Sequence, residues 1–200
     1  MTMINKKFFF SQVRLHLFGG SMNQKQVNGV NAILEEWEAH YAYEDDRWLA
    51  YMLATTHHET GRTMQPIEEW GKGRDRPYGK RLKMTKDKSG NRIPYTDTNE
   101  LFYGRGFVQL TWYENYDKAG RKLGKDFLHN ASGVLELGNA TKIMFLGMTE
   151  GWFTGAKLSR FFNPSTEDWK NARKIINGTD KWDLIKDYAL KYYSAISYTI

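Results

Sequence analysis

The sequence predicts a mainly α-helical domain carrying one small β-hairpin, and three observations lead there. Apolar residues recur at helical intervals in several separate segments. Residues 71–100 break that periodicity with Gly, Lys, Arg and Pro. Forty per cent apolar residues and only four prolines exclude a disordered or Pro-rich chain. No internal repeat, low-complexity tract or boundary interrupts residues 1–200, so they are read as a single domain, large enough to bury a substantial core.

At the N-terminus, Lys6-Lys7 followed by Phe8-Phe9-Phe10 imitates a signal peptide, but Ser11-Gln12, Arg14 and His16 end the apolar run too early. No stretch reaches the roughly 18 apolar residues of a membrane span. A soluble protein made in the cytoplasm is therefore expected. Ser21 and Gln24 have capping-box spacing, and Val27, Val30, Leu34 and Trp37 follow at helical intervals. A second helix starts near Asp45-Asp46, where carboxylates suit the positive end of the helix dipole. Its buried stripe is Trp48, Met52, Thr55 or Thr56, then Glu59, and Gly61 is its stop. Arg81–Met84 and Arg92–Tyr95 flank Ser89-Gly90, which predicts the hairpin. Further helices are expected over Thr111–Leu123 (ended by Gly124), Asn139–Trp152 and Thr166–Ile176. The last is expected from Asp180, with a stripe of Ile185, Tyr188, Ala189, Tyr192 and Ile196.

The formal charge is +6, a field that draws in polyanions. Residues 71–100 hold nine basic and four acidic side chains, a solvated basic flap or a functional one. A nucleic-acid role is not expected. The chain has no cysteine, so a disulfide framework and thiolate metal sites are excluded. Seven Trp and twelve Tyr fit either an aromatic core or a groove for sugar rings.

Glu59 is the sharpest candidate for chemistry. It lies seven residues after Met52, hence on the same helix face, at the end of a core-facing stripe. Poor solvation there favours the neutral carboxyl that a proton donor must be. Hydrolysis with inversion at a sugar needs a second carboxylate to activate water, and Glu68 and Glu69 follow Pro66-Ile67 as candidates. The adjacent His57 and His58 project about 100° apart on a helix, so they do not converge on a metal, and no cofactor is expected.

The pair His57-His58-Glu59-Thr60-Gly61 and Tyr103-Gly104-Arg105-Gly106-Phe107-Val108-Gln109-Leu110-Thr111-Trp112-Tyr113-Glu114-Asn115-Tyr116 resembles glycoside hydrolase family 19, lysozyme-like chitinases and bacteriophage endolysins. The likeness continues through Leu17-Phe18-Gly19-Gly20, Gly151-Trp152-Phe153-Thr154-Gly155 and Arg173-Lys174-Ile175-Ile176-Asn177-Gly178-Thr179-Asp180. It implies a lysozyme-like bilobal fold with the hairpin beside the substrate cleft. Plant members carry disulfides and a signal peptide, neither of which is read in this sequence, so the resemblance is expected to be to the endolysin branch.

That resemblance implies Glu59 as general acid and a later loop carboxylate as base. Endolysins reading Met-Gln-Pro-Ile-x-Glu-x-Gly match Met64 to Gly71 and select Glu69; branches with nine-residue spacing select Glu68, and Glu69 is favoured. Thr111 is implied to help hold the attacking water, although Thr111 and Glu114 also have capping-box spacing. Tyr103, Arg105, Gln109, Asn115 and Asn177 match signature or sugar-binding positions. The expected activity is hydrolysis of peptidoglycan glycan strands, with chitinase or lytic transglycosylase as alternatives and a non-enzymatic polyanion-binding protein as the least expected. The endolysin reading further implies a monomer held in the host cytoplasm until a holin gives it access to the wall.

Overall fold

The computed structural model describes residues 3–199. Its helices are α1 (Lys6–Leu17), α2 (Gln24–His40), α3 (Asp46–Glu59), α4 (Tyr113–Leu123), α5 (Leu137–Glu150), α6 (Trp169–Ala172) and α7 (Trp182–Ala195). The strands are short: β1 (Ile67–Glu68), β2 (Leu82–Lys86), β3 (Arg92–Pro94), β4 (Arg105–Gly106), β5 (Phe162–Asn163) and β6 (Thr166–Glu167). They pair as three antiparallel two-stranded ribbons, β1 with β4, β2 with β3, and β5 with β6. The protein is mainly helical with small sheets, as the sequence predicts. No helix among the described residues is long and apolar enough to cross a membrane.

Two compact units emerge, one built from the chain up to Gln65 and from Met144 onward, the other from Pro66–Ile143. In the first, α3 is the central helix, buried from Leu49 through His57 and packed against α7 and α2. Removing Leu49, Met52 and Leu53 from water contributes about 2 kcal/mol each. The helix starts at the Asp45 cap, whose side chain accepts from the Arg47 N–H. It ends in a Schellman motif: the Gly61 N–H donates to His58 O at 3.1 Å and the Arg62 N–H to His57 O at 2.8 Å. Gly61 sits at φ +56°, in the left-handed region that this stop requires.

Several local expectations give way to other partners. The triple-phenylalanine segment lies in helix α1, which buries Phe9, Val13 and Leu17 and packs on α7. A four-residue spacing carries that face, and the adjoining Lys and Phe runs obscured it. Asn23, not Ser21, caps α2, in a reciprocal capping box with Gln26. The helix expected over 166–176 divides into β6, α6 and a 3-10 turn at Arg173–Ile175. Asp168, capping α6 through the Asn171 N–H, marks the break. Lys181, with φ +57°, precedes α7, so Asp180 does not cap it.

The second unit holds an aromatic cluster of Tyr95, Phe102, Tyr113 and Tyr116, with ring centroids 4.9–5.5 Å apart. The β2–β3 hairpin forms as expected, turning at Gly90. It is latched to the start of α4, where the Glu114 carboxylate accepts from Met84 N–H, Thr85 N–H and the Thr85 hydroxyl, each at 2.8 Å. Glu114 is thereby withdrawn from the expected box with Thr111. The residue before α4 is Trp112, at φ +76°, and no side chain caps the helix.

Candidate active site

The helical unit supplies Glu59. As the last residue of α3, it sits where the Schellman turn leaves the helix, and its side chain is 17% exposed. Arg173, itself buried, brings its guanidinium to 2.7 Å from Glu59 Oε1, in an ionic approach rather than a directed hydrogen bond. The same guanidinium donates through Nε to Asp180 O at 3.1 Å. The surroundings of Glu59 are therefore charged as well as dry. Arg173 is a partner that local sequence reasoning missed; the only signal was its place in the segment leading to Asn177. Asn177 is exposed and accepts the Gly178 N–H, a local turn at the end of that segment.

His57 lies on the buried side of α3, where Nδ1 meets the Tyr192 hydroxyl at 2.9 Å. Burial, with Arg62 and His58 adding repulsion, pushes its pKa down to about 4. His57 is neutral at working pH and part of the core.

The second unit supplies the other carboxylates. In β1, Glu68 lies across from Arg105 of β4. Glu68 Oε1 accepts from the Tyr103 hydroxyl at 2.6 Å and Arg105 Nε at 3.1 Å, while Lys72 Nζ stands 3.4 Å from Oε2. The Tyr103 hydrogen bond first, then Arg105 and Lys72, hold this carboxyl below its ordinary range. Arg105 is buried, stacks 3.6 Å over the Tyr103 ring, and donates to Leu101 O and the Tyr116 hydroxyl. Tyr103, Arg105 and Glu68 thus form one internally satisfied strut.

Glu69 has different company. Its Oε1 accepts from the Tyr78 hydroxyl at 2.9 Å and its Oε2 from the Gly104 N–H at 3.0 Å. Its own N–H donates to Gly104 O at 2.7 Å, so two backbone groups and one side chain fix it. A Cβ on Gly104 would lie 2.8 Å from Gln109 Oε1 and 3.2 Å from Glu69 Cβ, so any larger residue here would push both side chains from their present positions. Gln109 therefore borders Glu69, and it donates at 3.3 Å to both Ile67 O and Gly106 O. Tyr78 packs edge-on against Trp112, and burial followed by Glu69 raises its pKa, which keeps the hydroxyl a donor.

Gln109 and Trp112 both hold positive φ, at 54° and 76°. Strained non-glycine backbone of this kind collects at functional loops. Thr111 stands half-buried between them, and Asn115 donates from Nδ2 to Thr111 O at 2.9 Å. Of the residues singled out in sequence, Glu68, Glu69, Tyr103, Arg105 and Gln109 converge around the Gly104 turn. Thr111 and Asn115 stand together where α4 begins. Glu59 and Asn177 belong to the helical unit. Tyr78 had no sequence signal of its own; only its placement by the Pro77–Gly79 turn reveals it.

Of the seven tryptophans, Trp37, Trp152 and Trp169 are core residues, whereas Trp70, directly after Glu69, is fully exposed.

Residues 39–169 match the model of glycoside hydrolase family 19, chitinase class I. The chain is similar to Chitinase 3 of Oryza sativa subsp. japonica, 32% identical over 92 residues, which covers 42% of this chain and 27% of that protein. It is also similar to Endochitinase CH25 of Brassica napus, 31% identical over 112 residues, or 52% of this chain and 32% of that protein. The matches thus span about a third or less of these relatives' length. The fold is similar to that of a class IV chitinase from Zea mays, with a TM-score of 0.53 at 16% identity, covering 93% of this chain and 90% of the other.

Proposed function

The chain belongs to glycoside hydrolase family 19, and from that premise we propose that it is an inverting glycosidase cleaving β-1,4 bonds between N-acetylated amino sugars, as in chitin. One observation carries the assignment of roles: Glu69, not Glu68, is held by a neutral hydroxyl and a backbone N–H beside Gln109. These two donors leave acceptor capacity on the carboxylate for a water molecule. Glu68 spends its oxygens on Tyr103, Arg105 and Lys72.

In this reading Glu59 protonates the departing glycosidic oxygen while Glu69, with Thr111, removes a proton from the attacking water. Arg173 orients Glu59 and balances its charge once the proton has left. Tyr103 and Arg105 act through Glu68, fixing the β1–β4 ribbon. Gln109 and Asn177 are left to meet sugars, while Asn115, buried with its Nδ2 on Thr111 O, acts by positioning Thr111. The exposed face of Trp70 suits the apolar face of a pyranose beside the base.

A second reading, hydrolysis of peptidoglycan strands by an endolysin, is supported by the +6 charge and the basic segment 71–100. The protein would then wait in the cytoplasm for a holin to open its path to the wall.

The deciding experiment digests chitin oligosaccharides and purified peptidoglycan in parallel, with product anomers followed by NMR and ends by mass spectrometry. Initial α-anomers from chitin oligosaccharides are expected. Initial β-anomers would refute inversion. Reducing muramic ends with intact chitin would select the endolysin reading, and anhydro ends would overturn the two-carboxylate mechanism.

A further inference from the structure

Next to the hairpin the second unit forms a concavity of about 510 Å³ that the mechanism does not use. Lys80, Lys86 and Arg92 line it, with Leu82, Asn91 and a single acid, Asp75. Among the described residues, neither Lys80 nor Lys86 has an ion-pair partner, and both are exposed. The hairpin's own acid, Asp87, accepts from Ser89 N–H and Asn91 N–H, so it closes the turn. Three cations thus face one hollow with one opposing carboxylate, a focus for negative charge.

We propose that this concavity binds the carboxylates of an acid-bearing amino-sugar strand, extending the enzyme's grip on its polymer beyond the bond it cuts. The inference rests on the second reading above, in which the polymer is peptidoglycan and carries carboxylates, and on the proposed role of Glu69 for the position of the cleaved bond. Continuity supports it. Tyr78 holds Glu69, Trp112 packs 5.6 Å from Tyr78, and the Arg92 guanidinium lies 4.1 Å over the Trp112 ring. A linear polymer crossing Glu69 can continue over Tyr78 and Trp112 to the lysines without leaving this unit. The lining favours a glycan over a nucleic acid, because no aromatic ring faces the hollow to stack a base. Lysine ammonium groups, compact and mobile, suit carboxylates spaced irregularly along a strand. The glutamate latch gives the lysines a defined location, since Glu114 anchors β2 by its backbone.

The test measures binding of Glu59→Gln protein to purified peptidoglycan sacculi by co-sedimentation at low ionic strength, so that the polymer is not consumed. Replacing Lys80 and Lys86 together by Gln should weaken binding roughly tenfold. The same charge change at Lys157 and Lys186, in the helical unit, should do much less. Converting the sacculus carboxylates to amides should erase the difference between Lys80→Gln/Lys86→Gln and its parent. Unchanged binding, an equal loss from the control pair, or a difference that survives amidation would each overturn the proposal. So would a loss confined to duplex DNA or to anionic lipid vesicles. Hydrolysis of the sacculi by the unsubstituted protein is scored separately: its absence would refute the peptidoglycan reading and leave the binding result standing.

Discussion

Arg173 sets its guanidinium 2.7 Å from Glu59 at the point where α3 ends, and both side chains are largely withdrawn from water. Truncating Arg173 would empty a buried site and strip both Glu59 and Asp180 O of the partner they now face. Arg173→Ala is expected to lower unfolding free energy by about 3 kcal/mol in urea titrations. Arg173→Lys keeps the charge and should recover part of that loss. Stability of Arg173→Ala equal to the parent protein would show that the pair is not a structural element.

The two adjacent carboxylates separate base from strut. Glu69→Gln should reduce kcat by about 10³-fold or more with little effect on stability, as expected when a general base is lost. Glu68→Gln should lose about 1 kcal/mol of stability, because its side chain is one-third exposed, and should retain measurable turnover. Since the folded-state pKa of Glu68 is depressed, its contribution is present above the ordinary carboxylate pKa and is lost as pH falls through the folded value. A kinetic collapse in Glu68→Gln, with Glu69→Gln active, would reverse the assignment.

Gly104→Ala probes the close approach directly. The new methyl group would press on Gln109 Oε1 and Glu69 Cβ, displacing the carboxylate from the Gly104 N–H. Turnover should fall about tenfold or more, since misplacement of a catalytic group by a fraction of an ångström is costly. Circular dichroism should remain that of a folded helical protein. Full activity would mean that the turn relaxes without moving Glu69.

Acid should destabilise the helical unit through His57. Its folded pKa, about 4, lies below the ordinary value of 6.5, so the unfolded chain takes up the proton first as pH falls. The stability is complete above pH 6.5 and is lost progressively toward pH 4, at most about 3 kcal/mol from this group. Urea midpoints measured across that window should fall, and His57→Gln should flatten the slope. An unchanged slope in His57→Gln would place the acid sensitivity elsewhere.

Much of the fold was legible because its signals are local. Gly61 and Gly124 end α3 and α4 through left-handed backbone that neighbouring residues cannot adopt cheaply. Asp45, the Ser89-Gly90 turn and the α7 stripe through Ile185, Ala189 and Tyr192 likewise read correctly. Errors arose where two short polar residues competed for one job. Asn23 displaced Ser21 because Gln26 could reciprocate, and Glu114 left Thr111 because β2 offered it two backbone N–H groups.

The sequence by itself determined the helical class, the hairpin, the family signature and the short list of carboxylates, since periodicity and spacing act over a few residues. Only the tertiary structure decided what each carboxylate touches. Arg173 reaches Glu59, and Arg105 reaches Glu68, from distant parts of the chain. Gly104 and Tyr78 come to Glu69 because ribbon pairing and a tight turn deliver them. Such contacts depend on loop closure and on the burial of whole faces, and no local pattern along the chain records them.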